Sequence, residues 1–125
     1  MIKGFEKETK PLTEYEQEIL PIIVKSLERH VGSEGAITNG EMSEGLEKHG
    51  YRKISSARIR KIINYIRINS LIDCLMATNS GYFITQSITE MQEYIDSLDG
   101  RIDAIKEVRD AMIEQLKRLK AKLAS

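Results

Sequence analysis

Positive charge is concentrated in one short stretch of the chain. Residues 51–69 contain six basic side chains and no acidic one. These six are Arg52, Lys53, Arg58, Arg60, Lys61 and Arg67. Their ammonium and guanidinium groups donate hydrogen bonds to phosphate oxygens, and an arginine can also bond guanine through two donors. The residue types and their spacing therefore favour contact with a polyanion.

The charge of the remaining chain limits how tightly such a partner is held. The protein has 19 basic and 19 acidic residues, so its formal net charge is zero. Residues 1–50 carry ten acidic and six basic side chains, and residues 70–100 carry five acidic and no basic ones. A local positive field attracts a polyanion even at zero net charge, whereas acidic flanks repel it. We therefore expect weak non-specific binding through residues 51–69.

The sequence offers few groups for other kinds of chemistry. Cys74 is the single cysteine, and His30 and His49 are the two histidines, so neither an internal disulfide nor a metal-ligand spacing can be assembled. We expect Cys74 to be a small core residue of an apolar strand and the histidines to be capping or solvated. The sequence contains no glycine-rich phosphate loop and no nucleophile elbow. The prediction is a protein without catalytic residues, metal or cofactor.

The first element that must position the basic stretch is a helix. Thr13 followed by Glu16 is a capping box, which predicts a helix over about residues 14–30. Pro21 lies inside this helix, so we expect a kink or a restart there. Apolar residues at three- and four-residue spacing predict its buried stripe, which consists of Tyr15, Ile19, Ile22, Ile23 and Leu27.

Four further elements follow in quick succession. We predict a short edge strand at 36–38, a helix at about 40–49, a third helix at 55–69, and a hairpin of 71–76 with 82–85. The third helix has an apolar face made of Ile59, Ile62, Ile63 and Ile66. At about 100° per residue, its opposite face should present Ala57, Arg60, Lys61, Asn64 and Ile68. The expected fold class is mainly α with a small β-hairpin, an α+β arrangement.

This order of elements resembles the winged helix-turn-helix family over residues 13–87. The stretch TNGEMSEGL (38–46) looks like the first helix of the motif, and SSARIRKIINYI (55–66) looks like its recognition helix. Leu71-Ile72 resembles the entry to the wing. The resemblance implies a DNA-binding domain whose helix 55–69 enters the major groove. The hairpin differs from the DNA-contacting wing that is usual in this family, because it contains no lysine or arginine.

The amino-acid sequence also resembles those of small uncharacterised proteins of phages and prophages of gut bacteria. The similarity is carried by GFEKETKPLT (4–13) and RIRKIINYIR (58–67). It brings no known activity with it.

The predicted DNA contacts divide into two roles. Arg60 and Asn64 are the candidate base readers, since arginine pairs with guanine and asparagine with adenine. The predicted contacts to DNA phosphates, which hold the register without reading sequence, are Arg52, Lys53, Lys61 and Arg67. The whole predicted DNA-binding set is Arg52, Lys53, Ser56, Arg58, Arg60, Lys61, Asn64 and Arg67.

The last part of the chain has a heptad pattern. From the Ser87–Glu90 capping box onward, steps of three and four residues select eleven positions, ten of which are apolar. We call these positions the seam: Ile88, Met91, Ile95, Leu98, Ile102, Ile105, Arg109, Met112, Leu116, Leu119 and Leu123. The predicted oligomerisation residues are the central eight, which run from Ile95 to Leu119. A long helix with such a seam predicts self-association.

The arrangement of that association stays open at the level of sequence. In a parallel pair, Arg101 would face Lys106 of the other copy, and the two would repel each other. Val108 and Ile113 widen the apolar surface, so an antiparallel pair and a higher-order bundle both remain alternatives to a parallel zipper. A further alternative is a helix that folds back over its own domain.

The sequence thus predicts three regions. They are a flexible arm at 1–12, a winged helix-turn-helix domain at 13–86 and an oligomerising helix at 87–125. The predicted function is a dimeric, non-enzymatic binder of double-stranded DNA that acts as a phage or prophage transcription regulator or as a replication or maintenance accessory. The alternative is an adaptor that binds a second protein without DNA. Since no apolar run has the length of a membrane span or signal peptide, we expect a cytoplasmic, nucleoid-associated protein without membrane contact.

Overall fold

The computed structural model describes residues 10–124, which are mainly helical with one small antiparallel sheet. In chain order the elements are α1 (Glu14–Leu27), a 3₁₀ turn (Ser33–Gly35), α2 (Asn39–Lys48), α3 (Ser56–Ile68), β1 (Leu75–Thr78), β2 (Gly81–Ile84) and α4 (Ile88–Ala124). The predicted α+β class is confirmed. The chain divides after Gln86 into two compact units. The predicted arm at 1–12 lies, apart from its last three residues, outside the described residues.

Helix α1 begins as the capping box predicts. The Thr13 hydroxyl accepts a hydrogen bond from the Glu16 amide at 3.2 Å, and the Glu16 carboxylate accepts one from the Thr13 amide at 2.8 Å. The helix runs through Pro21, whose side chain is exposed, and ends at Leu27, three residues before the predicted end at His30. Its fully buried apolar residues are Ile19, Ile23 and Leu27.

Caps also fix the starts of α2 and α3. Thr38 and Glu41 form a capping box at α2 that the sequence reasoning missed, so this helix begins one residue earlier than predicted. The Ser55 hydroxyl accepts from the Arg58 amide at 3.3 Å and caps α3. Gly50, with a φ of 86°, is in the left-handed conformation expected for the stop after α2.

The predicted hairpin is present but shorter in its first strand. Leu75 pairs with Ile84, and Thr78 pairs with Gly81, so β1 begins four residues later than predicted. Cys74 precedes the strand, has a φ of 61° and is exposed. The expectation of a buried, strand-borne cysteine is therefore wrong, because the left-handed residue lies outside the regular strand, in which side chains alternate between two faces.

A third segment pairs with β2 on the side away from β1. The Ile37 amide donates to the Tyr82 carbonyl at 2.9 Å, and the Tyr82 amide donates to the Ile37 carbonyl at 2.8 Å. The edge strand predicted at 36–38 is thus reduced to a single bridge. Gly81 has a φ of 118°, and a Cβ placed on it would lie 2.5 Å from the Ile37 carbonyl oxygen. Glycine is required where these two backbones approach.

The core of the first unit brings all of these elements together. The predicted apolar face of α3 is fully buried, and Met42 and Leu46 of α2 pack into the same cluster. Ile54, Ile72, Leu75 and Tyr82 complete it from the loop, the hairpin and its approach. The Tyr82 hydroxyl donates to the Asn39 side-chain oxygen at 2.7 Å. The core therefore ties the start of α2 to the sheet and holds α3 against both.

Helix α4 forms the second unit. It has 37 residues and is continuous through Gly100, which gives a length of about 55 Å at 1.5 Å per residue. Every described side chain from Ile95 to the end of the helix is exposed. None of the described helices is long and apolar enough to cross a membrane.

Candidate nucleic-acid interface

Four of the predicted DNA-contacting residues share one face of α3. They recur at intervals of four, four and three residues, which places them in one row along the helix. Ser56 and Arg60 are exposed, whereas Asn64 and Arg67 are half-buried. We call Ser56, Arg60, Asn64 and Arg67 the outer stripe. Arg60 and Asn64 belong to the face that is predicted to lie opposite the buried isoleucines, whereas Ser56 and Arg67 lie on its flank, nearer to Ile63.

Two basic residues lie in the loop that leads into α3. Arg52 and Lys53 are both exposed. The guanidinium of Arg52 stacks over the Tyr15 ring at 4.1 Å, and the Tyr15 hydroxyl donates to the Arg52 carbonyl at 2.8 Å. The first turn of α1 thus fixes the loop before α3, and a cation–π contact holds one face of the Arg52 guanidinium.

The remaining two basic residues of α3 are directed at α1. Lys61 Nζ lies 2.6 Å from Glu16 Oε1, and Arg58 Nε lies 2.9 Å from Glu16 Oε2. Arg58 also donates to the Thr13 hydroxyl at 3.2 Å. We call Glu16, Arg58 and Lys61 the Glu16 cluster.

The prediction that Lys61 lies on the exposed face of α3 is wrong. Its relative exposure is 6% and that of Glu16 is 1%, so the pair is buried. On the helical wheel Lys61 lies at the border of the outer face. Helix α1 packs there, and the Glu16 carboxylate of α1 bonds the Lys61 ammonium. Arg58 is about one third exposed, but its guanidinium is engaged with the same carboxylate. A phosphate contact by either residue would have to compete with Glu16.

Glu16 remains ionised far below neutral pH. Burial by itself raises the pKa of its carboxyl, but hydrogen bonds from Lys61, the Thr13 amide and Arg58, together with the charge of Lys61, outweigh that effect. The pKa of Glu16 therefore falls from its usual 4.5 to about 2. A buried carboxylate with this many donors forms a structural anchor between α1 and α3.

A signal for this cluster was present in the sequence. Glu16 precedes Ile19, Ile23 and Leu27 at the spacing that defines the buried stripe of α1. A carboxylate in line with a buried stripe requires a cation from the opposing helix. The sequence predicts the capping-box role of Glu16, but it does not predict that Lys61 and Arg58 bond the same carboxylate.

The surroundings of the outer stripe are mixed in character. A surface pocket of about 370 Å³ lies between the starts of α2 and α3, and its lining includes Lys53 and Ser56 but also Glu44 and Glu47. The Ser43 hydroxyl donates to the Ile54 carbonyl at 3.1 Å and joins α2 to the loop before α3. The carboxylates of α2 would repel phosphates on that side. A polyanion is therefore better accommodated along the outer stripe and Arg52 than over α2.

The tip of the hairpin supplies no positive charge. Residues 75–84 contain neither lysine nor arginine. The Thr78 hydroxyl accepts from the Ser80 amide at 3.2 Å and donates to the Gly81 carbonyl at 3.3 Å, so it closes the turn. Asn79 and Ser80 are exposed and could bond a phosphate.

Neither a metal centre nor a relative gives a second indication of function. Within residues 10–124, no three side chains of the histidine, cysteine, aspartate and glutamate types are grouped so that they could hold a metal ion. Comparisons of the chain with protein-family models, with curated proteins and with solved structures find no match.

Proposed function

We propose that the protein is a dimeric DNA-binding protein of the winged helix-turn-helix type, with α3 as the helix that enters the major groove. The observation that carries the proposal is the outer stripe of α3. It aligns two arginines, an asparagine and a serine on the helix that follows α2 through a short loop. The order of α1, Ile37 bridge, α2, α3 and hairpin is that of a winged helix, which supports this reading.

The outer stripe suits direct contact with bases. Arg60 and Asn64 are one turn apart, or about 6 Å along the axis, which is within reach of neighbouring base pairs. Arg52, Lys53 and Arg67 lie before and after them and suit the phosphates on either side. The Glu16 cluster holds α3 against α1, so the stripe is presented from a rigid element. No step of this function requires catalysis.

The proposal includes a dimer formed through α4 and a cellular role in gene regulation. A protein that reads a short duplex site in two copies suits a phage or prophage transcription regulator, or a replication or maintenance accessory. Such a protein would act in the bacterial cytoplasm, at the nucleoid. Two copies of α3 would raise affinity through effective concentration.

The test is a mobility shift on random duplex DNA at low salt. We expect binding that weakens as salt rises, and an Arg60→Ala/Arg67→Ala variant that loses most of its affinity, since it removes both positive charges of the outer stripe. Lys48→Ala/Lys25→Ala is the matched control, because it removes the same charge from exposed sites on α2 and α1. Equal binding by the variant and the wild type would contradict the proposal. Arg58 and Lys61 are left intact because their loss would disturb the Glu16 cluster.

A second candidate function is a protein-binding adaptor. It is favoured by a surface groove of about 470 Å³ between α1 and α2, lined mainly by apolar groups that include Ile22, Ile37 and Met42. A Cβ at Gly45, which also lines the groove, would meet no atom within 4 Å. Gly45→Leu should therefore fill the groove without disturbing the fold. Loss of a stoichiometric protein partner in this variant, with no DNA shift in the wild type, would favour the adaptor.

A further inference from the structure

The seam side chains of α4 are exposed at every position from Ile95 onward. Among its exposed apolar side chains, the relative exposure ranges from 37% at Leu98 to 90% at Ile88. Isolated helices derive little stability from propensity alone, and an exposed apolar stripe of this length is typical of an interaction surface. A second copy of the chain carries the same repeat and is the partner that the heptad spacing fits.

Charge argues against a parallel arrangement of two such helices. Parallel pairing places each seam residue opposite itself, so Arg109 would face the partner's Arg109 inside the interface. It also places Arg101 opposite the partner's Lys106 on both flanks. Each dimer would contain three repulsive contacts, of which one is at the seam and desolvated.

Antiparallel pairing removes all three contacts. With the two-fold axis between residues 103 and 104, Ile102 packs on the partner's Ile105, and Ile95 packs on the partner's Met112. Arg109 then packs on the partner's Leu98 instead of on a like charge. Asp99 faces the partner's Lys106, and this attractive pair occurs twice because of the symmetry.

The same register explains a charged residue in the seam. Arg109 lies on the side of the interface that carries Asp99 and Lys106, and the partner's Asp99 falls within one residue of its level. Asp99 would therefore be flanked by two cations of the other copy. In the single chain Arg109 bonds the neighbouring Asp110 at 3.0 Å. The two side chains are 62% and 64% exposed, so this ion pair is weak.

The register is also distinguished from its neighbours. A shift by one heptad in one direction places Asp99 opposite the partner's Asp99, and a shift in the other direction places Lys106 opposite the partner's Lys106. Of these three registers, only the central one pairs unlike charges on this flank, and it still overlaps the helices over residues 88–119. We propose that α4 forms an antiparallel pair with α4 of a second copy in this register.

The pairing determines where the two copies of the first unit are attached. Residue 88 lies opposite the partner's residue 119, so the two attachment points are about 46 Å apart along the pair. This consequence rests on the proposed function insofar as it concerns DNA. It would give a dimer whose two α3 helices arise from opposite ends of one rod.

Cysteine cross-linking tests the orientation in the protein alone, without DNA. In a Cys74→Ser background, Ile95→Cys and a size-tagged Met112→Cys protein are unfolded, mixed, refolded and oxidised. We expect the mixed disulfide, since residues 95 and 112 are opposite each other only in the antiparallel register. Dimers of each variant with itself would indicate parallel pairing and overturn the proposal, as would a monomer in sedimentation at tens of micromolar.

A charge exchange tests the register. Asp99→Lys should raise the dimer dissociation constant about tenfold, equivalent to about 1.4 kcal/mol, and Asp99→Lys/Lys106→Asp should restore it. Glu93→Lys, on the outer side of the helix, is the control with the same charge change. An Asp99→Lys effect no larger than the control, or a pair that is not restored, would overturn the register. If the wild type binds no DNA while these results hold, the DNA-binding function fails and the pairing stands.

Discussion

Helices α3 and α4 are both amphipathic, yet the chain treats their faces in opposite ways. Ile59, Ile62, Ile63 and Ile66 of α3 are buried, and its one lysine, Lys61, is also buried, where it pairs with Glu16. In α4 not one side chain is buried among its described residues. The first helix is stabilised by contacts within its own unit, whereas the apolar face of the second is exposed from Ile95 onward.

The difference teaches how a charge should be interpreted on each helix. On α3, two of the six cations of residues 51–69 serve the fold and are matched by a carboxylate from 42 and 45 residues earlier. On α4, ion pairs connect near neighbours at the surface. Removing the partner of a buried cation therefore costs about 3 to 5 kcal/mol, whereas removing the partner of an exposed cation costs about 1 kcal/mol or less.

The largest effect on stability is expected from disrupting the buried Glu16 cluster between α1 and α3. Glu16→Gln removes the carboxylate charge and leaves Lys61 buried without a countercharge, which should cost about 3 to 5 kcal/mol in the free energy of unfolding. Urea unfolding followed by circular dichroism measures it. Glu18→Gln, exposed on the same helix, is the matched control and should change little. Glu16→Gln/Lys61→Met should recover much of the loss, and a variant as stable as the control would contradict the buried anchor.

Acid should reproduce the effect without a substitution. The pKa of Glu16 is lowered to about 2 in the folded protein, from a usual 4.5, so the folded state binds fewer protons than the unfolded one. The stabilisation is complete above about pH 4.5 and is lost as the pH falls towards 2, by about 3 kcal/mol in all. The unfolding midpoint in urea between pH 6 and 3 measures this dependence. Glu16→Gln should have a distinctly flatter profile in that window.

Two glycines give a comparison of intermediate size. Gly81→Ala should destabilise the first unit by about 2 kcal/mol, because the new Cβ meets the Ile37 carbonyl and the left-handed φ is strained. Gly100→Ala meets no atom within 4 Å in the helix and should instead stabilise α4 by about 0.5 to 1 kcal/mol. Thermal unfolding measures both. Equal signs for the two substitutions would contradict the packing described here.

The smallest effect is expected at the exposed ion pair of α4. Asp110→Asn removes the partner of Arg109 and should change stability by less than about 0.5 kcal/mol, because both side chains are largely exposed. Sedimentation should find the same dimer affinity within about twofold. A loss comparable with that of Glu16→Gln would show that this pair is not a surface contact, and the contrast between the two helices would fail.

Local signals in the sequence predicted the helix starts and faces well. The capping box of Thr13 and Glu16, the isoleucine face of α3 and the glycine stop after α2 depend on residues a few positions apart, and each is present. The placement of Lys61 depends on how α1 crosses α3, which no local pattern contains. The predicted burial of Cys74 is wrong because the left-handed residues Ser70 and Cys74 break the extended conformation before β1. The periodicity of α4 predicted the helix, but it leaves open the direction in which two copies would pair.

The proposed pairing through the exposed seam of α4 would make the fraction of dimer depend on the concentration of the protein in the cell. A dimer held by this helix forms in proportion to the square of the monomer concentration until pairing saturates, so occupancy of a two-copy target would rise more steeply than expression itself. In the proposed pair, α4 would also gain much of its stability from pairing, so dilution would remove ordered helix along with the dimer. A chain of this design would respond to its own copy number without a bound effector.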